Sequence, residues 1–209
     1  MTLFTPDDRA TATNVVVTAM RAGEVVGLHA DSSYALATDA FSAIGINKIF
    51  DLKDRHDAIT PILVGRSEVL HGILLNFTDE MRTLIDAFWP GPLTIIAKPQ
   101  PTLAWHASSD AISVRMPQDE WTREVVTEVG MVMAIAATRG NHSAPTTATQ
   151  ASEMWGSDVR HWLNTGAADP EKLSTIVDFR GAKPNIVRLG ALSHADLRQV
   201  LPSVTMVAN

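Results

Sequence analysis

Amphipathic helical stretches and short β-branched runs alternate from one end of this 209-residue chain to the other, and that alternation restricts it to an α/β fold built on a sheet with helices packed against it. Thr5-Pro-Asp-Asp8 offers an N-cap, a proline at the first helical position and acids in the first turn. The apolar pattern through Val16, Ala19 and Met20 then stops at Gly23, so a helix is predicted between them. Glu24 to Leu28 reads as a short strand. Asp39 to Leu52 reads as a second helix, with Phe41, Ile44, Ile49 and Leu52 on or near one face. Further strands are predicted at 62–64, 93–97, 112–115, 132–136, 174–179 and 185–189. Helices are predicted at 67–75, 78–87, 119–129, 147–155 and 193–200, with a capping box at Thr147-x-x-Gln150 and Ser193 as an N-cap. Repeats, low-complexity tracts and linkers are absent from the sequence, and residues 1–209 are expected to form one domain.

Composition narrows the function classes. The chain has no Cys and its seven His are scattered, which removes disulfide frameworks, thiolate metal sites and any metal-ligand spacing. The longest apolar run, Met131 to Ala137, is far shorter than the roughly 20 residues of a membrane span. The N-terminus lacks a basic-then-apolar signal, so the expected location is cytoplasmic, with no membrane partner. A net charge of -6 disfavours non-specific nucleic-acid binding over the whole surface, yet leaves room for a local basic cleft. The sequence does not define an oligomeric state.

No Gly-x-x-x-x-Gly-Lys-Ser/Thr loop, Gly-x-Gly-x-x-Gly turn or Gly-x-Ser-x-Gly elbow is present, which disfavours P-loop NTPases, dinucleotide dehydrogenases and α/β-hydrolases. Instead, Ser174-Thr-Ile-Val-Asp178 and Ile186-Val-Arg-Leu-Gly-Ala191 join two strand-like runs and place hydroxyls and a guanidinium near their ends, where α/β proteins commonly hold phosphorylated ligands. Lys53, Arg55, Arg115 and Arg139 also fall beside strand ends and turns.

Six ordered segments resemble the YrdC family. They are Gly23-Glu-Val-Val-Gly-Leu-His-Ala-Asp-Ser-Ser-Tyr-Ala-Leu36, Lys53-Asp-Arg55, Pro61-Ile-Leu-Val64, Phe88-Trp-Pro-Gly-Pro-Leu-Thr94, Val114-Arg-Met-Pro117, and the Ser174 to Ala191 pair. The resemblance implies a single-domain, open, twisted mixed β-sheet with flanking helices and a concave basic groove. It also implies threonylcarbamoyl-AMP synthesis: L-threonine, bicarbonate and ATP, with Mg²⁺ accompanying the nucleotide, give the adenylated carbamate used to modify adenosine 37 of certain tRNAs, and pyrophosphate leaves. Such chemistry needs cations and oriented hydroxyls more than a protein nucleophile. By the resemblance, Lys53 and Arg55 serve the phosphates as the catalytic cations and Arg188 clamps the nucleotide, with Thr60, Thr138, Asn141 and Ser143 beside it. Asp31, Ser32, Arg115, Ala136, Ser174 and Thr175 form the substrate side. No protein metal site is expected.

The chain departs from the family's patterns in three places. His29-Ala-Asp-Ser32 stands for Pro-Thr-Asp-Thr, Thr60 for a Lys or Asn, and Ile135-Ala-Ala-Thr-Arg-Gly-Asn141 for Pro-Ser-Ala-Asn-x-Ser-Gly, so Ala136 and Thr138 replace a Ser and an Asn. Asp31-Ser-x-Tyr-Ala-Leu36 is similar to the YciO branch. Two alternatives therefore stand beside a synthase of reduced activity. One is a non-synthase relative that binds tRNA or double-stranded RNA through the groove; the other is a nucleotide-binding enzyme acting on a related small acid. Residue by residue, Phe88 to Pro92 reads as a packing and turn element, Tyr34 as a core phenol or site group, Asp31 as a turn cap or site group, and His29, His56 and His142 as packed or solvated side chains.

Overall fold

A computed structural model describes residues 1–54, 59–101 and 110–206. Its strands are β1 (Thr2–Phe4), β2 (Val26–His29), β3 (Tyr34–Asp39), β4 (Thr60–Val64), β5 (Leu93–Ala97), β6 (Ile112–Arg115), β7 (Met131–Ala136), β8 (His161–Leu163), β9 (Thr175–Asp178) and β10 (Asn185–Arg188). They form one open mixed sheet in the order β1-β8-β2-β3-β7-β4-β6-β5-β9-β10. Parallel pairs (β1·β8, β2·β8, β4·β6, β5·β9) are mixed with antiparallel ones (β2·β3, β3·β7, β4·β7, β5·β6, β9·β10).

The helices are α1 (Arg9–Arg21), α2 (Ala43–Lys53), α3 (Leu70–Ile73), α4 (Asp79–Phe88), α5 (Glu120–Val129), α6 (Ala148–Trp155) and α7 (His194–Val200). Their starts follow the sequence chemistry. Ser42, Thr78 and Asp119 accept from the backbone N–H three residues on, while Thr147 and Ser193 each complete a capping box. Three boundaries differ from expectation. Thr5 makes no side-chain cap, because a 3-10 turn at Pro6–Asp8 precedes α1. The segment predicted as one helix over 67–75 breaks into a 3-10 turn and the short α3. Asp39 ends β3 and does not begin α2. Strands β1, β3 and β8 were not expected at all.

Alternation along each strand divides the core into two layers. On one face, Leu36, Ile62, Val64, Leu93, Ile95, Ile112, Val114, Met133 and Val177 pack with Ile49 of α2, Leu70 of α3, Leu84 of α4, Ala151 of α6 and Leu197 of α7. On the other face, Val26, Leu28, Ala35, Ala37, Leu63, Val132 and Ala134 lie under Val16 and Met20 of α1 and Trp121, Val125 and Val126 of α5. This second face is only partly roofed, since α1 and α5 stand over the β2–β3–β7 side and leave the β6, β5, β9 and β10 side open. Close packing is strictest where Gly27 of β2 meets β8: a Cβ there would lie 1.7 Å from the Trp162 ring. Only glycine permits that approach.

Candidate functional site

The unroofed part of the second face is a cleft of about 510 Å³, within the range of small-molecule sites. Its floor is made by residues of that same face, small or polar toward the open side: Ala35 on β3, Thr94 on β5, Ser113 and Arg115 on β6, Ala134 and Ala136 on β7. Ser174 and Ile176 supply the β9 side, and Ala30, Ser32 and Ser33 form a rim from the β2–β3 turn. Small side chains across the middle strands make the concavity, and the longer cationic ones stand at its side.

Arg188 enters the cleft because of a β-bulge. Ile186 pairs with Val177 and faces the apolar core, and the register then shifts so that Arg188 pairs with Ile176. The extra residue, Val187, turns Arg188 onto the same face as Ile176. There its Nε and Nη2 donate to the Ser174 carbonyl (3.2 and 2.7 Å) and Nη2 donates to Ser174 Oγ (3.0 Å). The buried Thr94 hydroxyl also donates to Ser174 Oγ, at 2.8 Å. Gly190 holds this corner tight, since a Cβ on it would lie 2.1 Å from the Leu173 carbonyl oxygen.

Arg115 is buried beneath the cleft wall. Its Nη2 donates to Asp31 Oδ2 (2.6 Å) and to the Ala30 carbonyl (2.9 Å), while Nε is buried without a partner among the described residues. Burial lowers the affinity of this guanidinium for its proton, the nearby Arg188 acts in the same sense, and Asp31 opposes both. Burial alone also lowers Arg188. Two cations held close together, one of them with an unused buried donor, are the chemistry that suits an anion.

The structure gathers some of the residues singled out in the sequence and separates others. Ser32, Arg115, Ala136, Ser174 and Arg188 line one cleft. Asp31 lies behind it, its carboxylate accepting from Arg115 and from the backbone N–H groups of Gln118 (2.8 Å) and Asp119 (3.0 Å). Thr175 faces away from the cleft: its hydroxyl donates to the Leu192 carbonyl (2.7 Å) and accepts from Gly190 and Leu192 N–H (2.9 and 3.1 Å). Adjacent strand residues point to opposite faces, so Ser174 and Thr175 cannot both meet one ligand.

Lys53 reaches the end of β7 from α2 on the other face. Its ammonium donates to the Ala136 carbonyl (3.0 Å), to Thr138 Oγ1 (2.6 Å) and to the Thr138 carbonyl, and it lies 5.8 Å from the Trp155 ring centre. Thr60 opens β4 between the cleft-lining Ile59 and Pro61; its buried hydroxyl has no partner among the described residues. Asn141 borders a separate depression with Arg139, His142 and Gln150, and Ser143 is exposed beside the cleft-lining Ala144. Arg55 and His56 lie outside the described residues. Tyr34 is a core phenol, fully buried and donating to the Gly166 carbonyl at 2.8 Å. His29 packs edge-on against Tyr34 and accepts from Asp31 N–H.

Among the polar cleft residues, Ser33 on the rim and the strand residues Thr94 and Ser113 were not singled out as site residues in the sequence. Thr94 and Ser113 are small hydroxyls alternating with core residues of their strands, and that alternation is the signal they carried. The Phe88 to Pro92 string packs and turns, with Trp89 Nε1 donating to the Leu93 carbonyl (2.7 Å) and Gly91 N–H to the Met116 carbonyl (3.0 Å).

Comparison with known proteins agrees with this architecture. A profile of the Sua5/YciO/YrdC family, described as telomere recombination, matches residues 18–190. A Mycobacterium tuberculosis protein provisionally named threonylcarbamoyl-AMP synthase is 31% identical over 199 residues, covering 94% of this chain and 92% of that protein. The crystal structure of Pyrococcus abyssi Sua5 complexed with L-threonine superposes with a TM-score of 0.90 at 20% identity, covering 99% of this chain and 63% of that one, so this chain spans under two thirds of that longer protein. Escherichia coli YciO superposes with a TM-score of 0.80 at 15% identity, covering 93% of this chain and 97% of that one. With the profile covering most of its length and a relative above 30% identity matched nearly end to end, the chain belongs to the Sua5/YciO/YrdC family.

Proposed function

We propose that the chain is an ATP-dependent threonylcarbamoyl-AMP synthase of reduced activity, acting as one domain from the cleft over β6, β5 and β9 in the service of tRNA adenosine-37 modification. The observation that carries this reading is the convergence of Arg115, Arg188 and Ser174 in a cleft floored by small residues, an arrangement that suits an anionic group held against the wall. In the reaction, an oxygen of the carbamate formed from L-threonine and bicarbonate bonds to the α-phosphorus of ATP. The bond from that phosphorus to the pyrophosphate oxygen breaks, and its electron pair leaves with pyrophosphate. Arg115 would orient the amino-acid side, Arg188 would hold the nucleotide, and Lys53 would leave its Thr138 contacts to meet the phosphates as charge builds there. No cluster of three or more His, Asp or Glu fit for a metal occurs among the described residues, so Mg²⁺ would come bound to the nucleotide.

One observation favours a second reading. Lys53 is already tied to Ala136 and Thr138, the two positions where the chain departs most from its relatives. A relative with this arrangement could keep the cleft for nucleotide or RNA and not perform the transfer. Isothermal titration with ATP, then with L-threonine and bicarbonate, joined to a pyrophosphate assay, separates the two. The synthase reading expects ATP to bind and pyrophosphate to appear only when all three substrates are present. Binding of tRNA with no pyrophosphate under any combination would overturn it.

A further inference from the structure

The Asp31 carboxylate is 4% exposed and sits on a backbone with φ of 60°, a left-handed conformation that Asp and Asn tolerate better than most residues. Its oxygens are taken by Arg115 Nη2 and by two backbone N–H groups, and it forms no part of the cleft lining. It cannot touch a ligand, but it fixes the charge that a ligand meets. Arg115 and Arg188 together bring two positive charges to the wall, and Asp31, 2.6 Å behind Arg115, cancels one of them. The other ionisable groups nearby contact neighbours of their own, and a change at Asp31 leaves their charges in place: Asp169, whose N–H donates to the Asp31 carbonyl, turns its carboxylate to Glu171 N–H. Asp178 pairs with Arg180 at 2.8 Å, the Asp119 carboxylate caps Thr122 N–H, and Lys172 is exposed and donates to the Gln118 side chain.

We propose that Asp31 is a positioning residue that also sets charge selectivity, matching the Arg115–Arg188 wall to a group bearing one negative charge and disfavouring one bearing two. A monoanion leaves the wall neutral. A dianion leaves a surplus negative charge near a buried carboxylate that cannot move away, a repulsion little screened at such depth. The identity of the monoanion rests on the synthase reading: both the carbamate carboxylate and the α-phosphate of a nucleotide carry a single charge.

The test compares acetate with sulfate, by competition against L-threonine, on the full chain and on Asp31→Asn. Asn keeps the left-handed backbone and its one amide oxygen can still accept from Arg115 and Gln118 N–H, so the substitution removes the charge at nearly unchanged shape and loses only the contact from Asp119 N–H. The wild-type protein is expected to bind acetate at least as tightly as sulfate. Asp31→Asn is expected to shift the ratio toward sulfate by roughly tenfold, the size of one unit charge acting over several ångströms at an intermediate dielectric. General structural damage would weaken both anions together and leave the ratio alone, and an unchanged ratio in a folded Asp31→Asn protein overturns the proposal. Should the variant not fold, the wild-type ratio decides: sulfate bound tenfold more tightly than acetate, or neither anion displacing a ligand, overturns it as well. A protein that prefers acetate yet releases no pyrophosphate keeps this inference and loses the synthase reading.

Discussion

Arg188 reaches from β10 across to Ser174 on the neighbouring strand and makes three hydrogen bonds to it, two to the carbonyl and one to the hydroxyl. The bulge at Val187 makes this contact possible, and it holds a guanidinium at the cleft before any ligand arrives.

Replacing that guanidinium tests the nucleotide role. Arg188→Ala should weaken ATP binding by about 1.5–3 kcal/mol, the usual loss for a hydrogen bond to a charged group. Isothermal titration checks this, and an affinity equal to wild type would rule out the clamp.

The altered segment after β7 should limit turnover. With Ala136 and Thr138 in place of a Ser and an Asn, two lost contacts at about 2–4 kcal/mol in total would lower the rate roughly 30- to 1,000-fold against a relative that keeps them. Ala136 lines the cleft, so Ala136→Ser would return a hydroxyl to it. Combined with Thr138→Asn, it should recover part of the pyrophosphate release. Wild-type turnover equal to that of the intact relative, assayed side by side, would contradict this.

Lys53 serves the fold as well as the proposed chemistry. Lys53→Met removes its donors to the Ala136 and Thr138 carbonyls and to Thr138 Oγ1. Unfolding in urea should show a loss of about 1–2 kcal/mol, together with weaker ATP binding. Lost binding at unchanged stability would show that these contacts hold nothing in the free protein.

Much of this architecture was legible because apolar periodicity is local. The strands at 62–64, 93–97, 112–115 and 132–136 and most helices appear close to where the pattern put them. Strands β1 and β8, three residues each, pair mainly with one another across most of the chain, and nothing in Thr2–Phe4 or His161–Leu163 alone specifies that pairing. Strand β3 was missed because Tyr34–Asp39 is buried along nearly its whole length, so no polar alternation marks it. At the site, residue types pointed to Arg115, Ser174 and Arg188, but the facing of each side chain depended on register. Thr175 looked as suitable as Ser174 until strand alternation set it on the other face, and no sequence cue marks the bulge that turns Arg188.

Gly27→Ala probes the tightest contact in the sheet. The added methyl would press on the Trp162 ring, itself fully buried, and overpacking of this kind costs about 1–3 kcal/mol. A denaturation midpoint equal to wild type would mean that β8 shifts freely away from β2.

Tyr34 gives a pH prediction with a clean readout, since it is the chain's one tyrosine. Burial raises its phenol above the ordinary range, and hydrogen bonding with Thr165 and the Gly166 backbone opposes this only in part. A raised folded-state value means that the folded protein keeps its proton longer than the unfolded chain. The contribution is therefore fully present below about pH 10 and is lost as pH rises through the folded value. Phenolate absorbance should appear only above the ordinary tyrosine range, together with a loss of stability that Tyr34→Phe does not show. Titration at the ordinary value would contradict the buried placement.

Because the cleft takes one to three residues from each of β3, β4, β5, β6, β7, β9 and β10, no fragment of the chain can carry the whole site. Pairings such as β5 with β9 join segments far apart in sequence, the kind of contact that costs most loop-closure entropy to form. Ligand affinity is thus a property of the completed sheet, and any ligand of the cleft should act as a folding agonist, raising the melting temperature with concentration by mass action and leaving incompletely assembled chains untouched.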